Sequence, residues 1–177
     1  MRKMIRKFYY ILRSKLFIWN VRRKKGIVGC GAILNNGNYI SPHNITIGKF
    51  CYIGPSASLY ARGGIDIGDG TIIGPRVIIH TSNHDYNSTE CVPYGHNYVH
   101  KKVTIGKAVW IGDSVIILPG SSIGDGCIIS AGSVVRGNLE PYSIYSGNPA
   151  MLISKRKNSN DFEINVKDEN FYLKRKL

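Results

Sequence analysis

Residues Ile105 to Leu139 read IGKAVWIGDSVIILPGSSIGDGCIISAGSVVRGNL, with a branched aliphatic residue at every sixth place: Ile105, Ile111, Ile117, Ile123, Ile129 and Val135. Glycine follows at Gly106, Gly112 and Gly124, and a small or β-branched residue stands four places after the rung at Val109, Val115, Ser121, Cys127 and Ser133. An amphipathic helix repeats its apolar face about every 3.6 residues and a lone strand every second residue, so a sustained period of six belongs to neither. A chain that sends one aliphatic side chain inward every six residues and turns between them builds a triangular prism. Its strands are short and parallel, three to a coil, and each inward side chain stacks on the one in the next coil. Glycine and polar residues near each rung suit corners with unusual backbone angles.

The same ladder extends back to Gly26. Its rungs are Ile27, Ile33, Tyr39 and Ile45, then Ile47, Ile53, Leu59 and Ile65, then Ile67, Ile73 and Ile79, with a two-residue step at ITIG, IDIG and VTIG. About five coils are implied. After Ile79 the next rung would fall at Asp85, yet the pattern resumes only at Val103, so residues 83–102 leave the prism as a loop. Long loops on a rigid scaffold carry function out of proportion to their length. This one holds His84, His96 and His100, three of the five histidines.

Residues 2–25 read as a helix. Met4, Ile5, Phe8, Leu12, Leu16 and Trp19 form an apolar stripe, and Arg2, Lys3, Arg6, Lys7 and Arg13 take the other side. Such a helix either caps the first apolar layer of a solenoid or lies in the surface of an anionic membrane, and one face can serve each role.

The formal net charge of +13 is unevenly placed. Residues 1–25 hold ten Lys or Arg and no acid, residues 26–154 hold seven of each sign, and residues 155–177 form a basic tail. A neutral body lacks the basic, aromatic-lined face of a nucleic-acid binder, so no nucleic-acid partner is expected. Cys30, Cys51, Cys91 and Cys127 form no CxxC pair, which reads as buried thiols in a reducing compartment. The opening has no uninterrupted apolar segment with a cleavage site, so a cytoplasmic location is expected, with peripheral attachment to the inner face of the membrane if the helix binds lipid.

The ladder, the loop and the segment SGNPA at Ser146 to Ala150 resemble the hexapeptide-repeat acyltransferases, over roughly residues 27–156. The branch most similar is that of the sugar and polysaccharide O-acetyltransferases related to maltose and galactoside acetyltransferases. The resemblance implies an all-β solenoid, a left-handed parallel β-helix with an extruded catalytic loop. The left hand comes from the resemblance alone, since the rule for parallel crossovers gives the right hand. It also implies a homotrimer, acetyl-CoA as co-substrate bound in a cleft between neighbouring prisms, and no metal.

Carried onto this chain, the resemblance makes His84 in IIHTSNHDYN the general base. An imidazole accepts a hydroxyl proton near neutral pH and can return it to the departing thiolate. Asp85 or a backbone carbonyl would orient the ring, although neighbours on an extended chain point apart. Trp110 in AVWIGD would line the cleft, the amide of Asp113 would meet the developing oxyanion, and Ala131 would admit the pantetheine arm. Asp113 departs from the serine usual there, which an amide donor survives. Arg136, Lys155 and Arg156 are the candidates for the coenzyme phosphates; Gly137 and Met151 stand where basic residues are usual. Asn83, Tyr86, Tyr94 and His96 are the candidates for the saccharide acceptor.

The reaction expected is acetyl transfer from acetyl-CoA to a hydroxyl of a cell-surface saccharide or its lipid-linked or nucleotide-linked precursor. The alternatives are N-acetylation of a nucleotide-linked amino sugar, a metal site of the carbonic-anhydrase kind built on His80 and His84, and an inert trimeric scaffold.

Overall fold

The computed structural model describes residues 2–176; the side chains of residues 2–11 and of Arg13 lie outside that description. The chain forms a parallel β-solenoid of about six turns, consistent with a left-handed β-helix. Its first face stacks Ile27–Val28, Ile45–Ile47, Ile65–Ile67, Val103–Ile105, Ser122–Ile123 and Asn138–Leu139. The second stacks Ile33–Leu34, Tyr52–Ile53, Ile72–Ile73, Trp110–Ile111, Ile128–Ile129 and Ser143–Ser146, and Met151–Lys155 closes it as an antiparallel edge strand. The third stacks Gly37–Ile40, Ala57–Tyr60, Ile78–His80, Ile116–Ile117 and Val134–Val135.

The rungs meet in register. Ile111 pairs with Ile73 below and Ile129 above, Ile105 with Ile67 and Ile123, and Ile117 with Ile79 and Val135. Rungs and the small residues four places later are both buried, so Cys51, Ala57, Thr71, Val77, Val109, Val115, Ser121, Cys127 and Ser133 complete each layer. A hydroxyl placed there has to find a partner. The Thr71 hydroxyl donates to the Gly106 carbonyl and accepts from the Val109 N–H, and the Ser133 hydroxyl donates to the Ser130 carbonyl.

Three expectations need correction. In the first coil the inward residues are Val28 and Leu34, while Ile27 is 62% exposed. The slip covers the first two faces and ends at Tyr39, which is buried and pairs with Leu59 as the ladder places it. The Gly26 N–H closes back on the Val21 carbonyl and the Arg22 guanidinium holds the Val28 carbonyl at 2.6 Å, so the chain enters the prism with Val28 facing in. The glycines that follow the rungs serve close approach between coils rather than corner angles. A Cβ on Gly112 would lie 2.6 Å from the Ala131 nitrogen and 2.9 Å from its Cα. Left-handed backbone occurs two residues later and is often not glycine, as at Phe50, Ser56, Arg76, Ala108 and Ser114. The cysteines also divide. Cys51 and Cys127 are buried, and burial pushes the Cys51 thiol up to about 12. Cys30 is exposed and Cys91 half-buried.

The N-terminal helix spans Arg2–Arg23. Ser14 and Val21 are buried against the first coil, with Phe17 and Ile18 packed beside the core. The Ser14 hydroxyl accepts the Leu34 N–H at 3.0 Å, so this face is the cap. Leu12, Leu16 and Trp19 point away from it and are 57%, 61% and 56% exposed. Met4, Ile5 and Phe8, the rest of the expected stripe, lie outside the described side chains.

Residues 155–177 are folded rather than a solvated tail. A helix at Ser159–Lys167 is followed by a segment that buries Phe171 and Leu173. Phe171 packs on Phe50 and over Gly70, where a Cβ would come within 2.2 Å of its ring and where φ is +71°. The C-terminal segment thus runs back along the corner between the first and second faces, from Gly126 towards Gly70.

Candidate active site

The ladder breaks into a β-hairpin arm. Ser82–His84 pairs antiparallel with Tyr98–His100, with His84 opposite Tyr98. The arm leaves at the corner between the third and first faces, where a buried Thr81 anchors it. The Thr81 hydroxyl donates to the Tyr60 carbonyl and accepts the Gly63 N–H, and the Thr81 carbonyl accepts the Lys101 N–H. Rigid attachment at both roots holds His84 to a defined place although the arm stands in solvent.

The His84 imidazole lies between two tyrosines. The Tyr94 ring stacks on it at 3.8 Å between centroids, and the Tyr98 ring lies at 4.5 Å, tilted by 37°. Tyr94 was among the acceptor candidates; Tyr98 was not. Its sequence signal was the pairing of HTSNHD with HNYVHK as the two legs of a hairpin, a pairing hidden by the expectation of an irregular loop. Asp85 does not orient the ring. Its carboxylate accepts the Asn87 N–H, and its carbonyl accepts the Gly95 N–H, so Asp85 closes the base of the hairpin tip. Among the described residues no carboxylate is hydrogen-bonded to the His84 ring.

The other acceptor candidates are dispersed along the arm. The Asn83 amide oxygen accepts the His84 N–H, Tyr86 is exposed at the tip, and His96 Nε2 lies 3.8 Å from Cys91 Sγ. His80 remains on the third face, stacked flat on Tyr60 with centroids 5.0 Å apart. Among the described residues no three His, Cys, Asp or Glu side chains converge as metal ligands.

The second part of the site is the corner between the second and third faces. Trp110 stands on the second face, 56% exposed, and the chain turns at Asp113. In the earlier coils this corner reads Gly54–Pro55 and Gly74–Pro75, and proline carries no N–H. At Asp113 and Ala131 the N–H is present, and no acceptor among the described residues takes either one. Beside them the space is open, since a Cβ on Gly132 would meet nothing within 4 Å. An unpaired amide on a stiff corner is a preorganised donor for a ligand oxygen. Arg76, one coil below and not anticipated, adds a cation. Its guanidinium pairs with the Asp113 carboxylate and reaches the Ser114 hydroxyl at 3.2 Å.

The basic candidates separate. Arg136 is exposed beside Gly137. Lys155 and Arg156 lie at the opposite corner, between the first and second faces. Lys155 pairs with Glu140 at 2.5 Å, which holds the carboxyl below its usual range and raises the amine. Arg156 lies 3.7 Å from the Phe162 ring centroid and donates to the Gly126 carbonyl at 3.1 Å. Both clasp the C-terminal segment to the prism and stand apart from Asp113 and Ala131.

Residues 102–137 match the model of the bacterial transferase hexapeptide family (six repeats). The chain is 40% identical over 126 residues to a probable macrolide acetyltransferase of Lysinibacillus sphaericus, covering 71% of this chain and 67% of that protein. It is 34% identical over 131 residues to the galactoside O-acetyltransferase of Escherichia coli, covering 74% of this chain and 60% of that one. The crystal structure of the hexapeptide-repeat acetyltransferase VCA0836 from Vibrio cholerae matches with a TM-score of 0.74 at 26% identity, over 82% of each chain. The repeat, the prism and these likenesses agree: the chain belongs to the hexapeptide-repeat acyltransferases.

Proposed function

We propose that the protein transfers acetyl from acetyl-CoA to a hydroxyl of a saccharide, directly and with His84 as general base. The observation that carries this reading is the pair of unpaired N–H groups at Asp113 and Ala131 beside an exposed Trp110, a wall built to take a thioester rather than to pack. The VCA0836 protein has also been solved in complex with acetyl-coenzyme A, at 27% identity and a TM-score of 0.61.

In the reaction, His84 takes the proton of the acceptor hydroxyl as its oxygen bonds to the acetyl carbonyl carbon. The Asp113 N–H holds the negative charge on the carbonyl oxygen. The carbon–sulfur bond then breaks, and the imidazolium returns the proton to the thiolate, so that CoA leaves as a thiol. Within one chain the His84 arm and the Asp113 corner lie at opposite edges of the third face. The arm of one copy therefore serves the corner of a neighbour, as in a trimer. The deciding experiment offers saccharides, nucleotide sugars and amino sugars with acetyl-CoA, follows thiol release, and locates the acetyl group by mass spectrometry. Absence of thiol release with every acceptor would remove the enzymatic reading, and acetyl on nitrogen would replace O-transfer by N-transfer.

The acceptor is met at an anionic membrane face. Leu12, Leu16 and Trp19 are exposed on the side of the helix away from the prism, the Arg23 guanidinium lies 5.1 Å over the Trp19 ring, and residues 1–25 contain no acid. Among the described residues no helix is long and apolar enough to cross a membrane. The double change Leu16→Glu and Trp19→Glu is expected to weaken binding to anionic vesicles at least roughly tenfold without lowering thermal stability. Unchanged vesicle binding with loss of the oligomer would assign the stripe to contact between copies instead.

A further inference from the structure

At the root of the arm lies a polar cleft of about 430 Å³, with His43, Asn44, Thr46, Arg62, Asp66 and Lys102 among its lining residues. We infer that this cleft is a pyrophosphate subsite for the acceptor, so that the saccharide is recognised as a diphosphate ester. The inference rests on the acyltransferase reading for the identity of the acceptor, while the binding of pyrophosphate can be measured without it.

Charge is the first support. Asp66 is the one acid in the cleft, and Lys102 neutralises it at 2.5 Å. Arg62 has no carboxylate partner among the described residues, and His43 stands beside it with an exposed ring. The cleft therefore offers a net positive lining even with His43 neutral. A guanidinium takes two oxygens of one phosphate at once, and the Lys102 ammonium keeps Asp66 from repelling the second.

Position is the second. The Arg62 guanidinium lies 5.0 Å from the centroid of the Tyr98 ring, which also meets the His84 imidazole at 4.5 Å and His100 at 6.3 Å. The Asn44 amide donates to the Arg62 carbonyl at 3.0 Å and fixes the backbone there. Arg62, Tyr98 and His84 form a continuous series, so a phosphate at Arg62 sits one aromatic ring away from the candidate base. A sugar on a diphosphate held at Arg62 would reach the base by lying along the Tyr98 ring. Within one chain the Asp113 and Ala131 wall lies at a different corner, and the cleft shares its corner with the arm. His43 and Asn44 belong to a short 3₁₀ turn, Pro42–Asn44, packed against the N-terminal helix, so the cleft opens near the end of the prism that carries the exposed stripe.

The test is a titration of the full chain with inorganic pyrophosphate in the presence of saturating CoA, so that the coenzyme site is filled. Saturable binding is expected, weakened at least roughly tenfold by Arg62→Gln and further by Lys102→Gln. In turnover, Arg62→Gln is expected to raise KM for a diphosphate-linked sugar by a similar factor, with kcat within about threefold and KM for an unphosphorylated sugar unchanged. UDP and farnesyl pyrophosphate, compared as competitors, identify whether the natural ester is nucleotide-linked or polyprenyl-linked. Pyrophosphate binding that CoA abolishes, or that Arg62→Gln leaves intact, would overturn the subsite. So would equal loss with phosphorylated and unphosphorylated acceptors. Failure of the acyltransferase reading shows itself differently, as pyrophosphate binding retained without thiol release for any acceptor.

Discussion

Replacing His84 by alanine is expected to lower acetyl transfer at least about a hundredfold while leaving the folded protein unchanged. General-base catalysis by a positioned side chain contributes about 10²–10⁴ in rate, and the other imidazole beside these tyrosines, His100, lies 6.3 Å from the Tyr98 ring where His84 lies at 4.5 Å. The backbone of the arm does not depend on the imidazole. It is held by the pairing of Asn83 with Val99 and of His84 with Tyr98, and at its root by the Thr81 hydroxyl and carbonyl. The loss should therefore appear in turnover and not in melting temperature. Thiol release measured alongside thermal unfolding separates the two, and near-normal turnover would take His84 out of the mechanism. His84→Gln, which keeps a planar polar group between Tyr94 and Tyr98 but accepts no proton, should be as inactive as alanine. Recovery with glutamine would mean that the ring only positions the acceptor.

Truncating Ile111 to alanine is expected to cost about 3 kcal/mol and to lower the melting temperature by roughly 6–12 °C, measured at fixed protein concentration. Ile111 is fully buried and stacked between Ile73 and Ile129, so the cavity has coils on both sides that cannot close independently. Ile27→Ala, at a position with the same place in the repeat text, should cost less than about 0.5 kcal/mol because that side chain is 62% exposed. A loss at Ile27 equal to that at Ile111 would contradict the one-residue slip of the first coil. The comparison also bears on the site. Ile111 immediately precedes Gly112 and Asp113, so loosening the stack displaces the Asp113 amide and, on the proposed mechanism, is expected to lower turnover in the protein that remains folded.

Much of the scaffold was legible because its code is local. One inward residue per six, with a small residue four places on, is a rule that each coil obeys separately, and burial along the ladder follows it from Ile45 to Val135. The first coil departs from it because the helix exit at Gly26, fixed by Val21 and Arg22, sets the phase there. The fold of residues 155–177 was hidden for a related reason. Phe162, Phe171 and Leu173 are spaced among charges with no repeat of their own, and their partners, Tyr142, Phe50 and Gly70, lie far away in sequence. Lys155 and Arg156 looked free to meet phosphates because their partners Glu140, Gly126 and Phe162 cannot be assigned from spacing.

The sequence by itself determined the prism, the place where it opens, and the residue types at the break, since a period of six over many rungs admits one architecture and any interruption stands out against it. Only the tertiary structure decided what surrounds them. It placed His84 between Tyr94 and Tyr98, turned Asp85 into a turn-closing residue, left the Asp113 and Ala131 amides unpaired, and brought Arg62 and Lys102 together at the root of the arm. The physical reason is that coil stacking joins residues about twenty or more positions apart, as in Arg76 with Asp113 or Asp66 with Lys102, and such pairs follow from packing across coils rather than from any pattern along one.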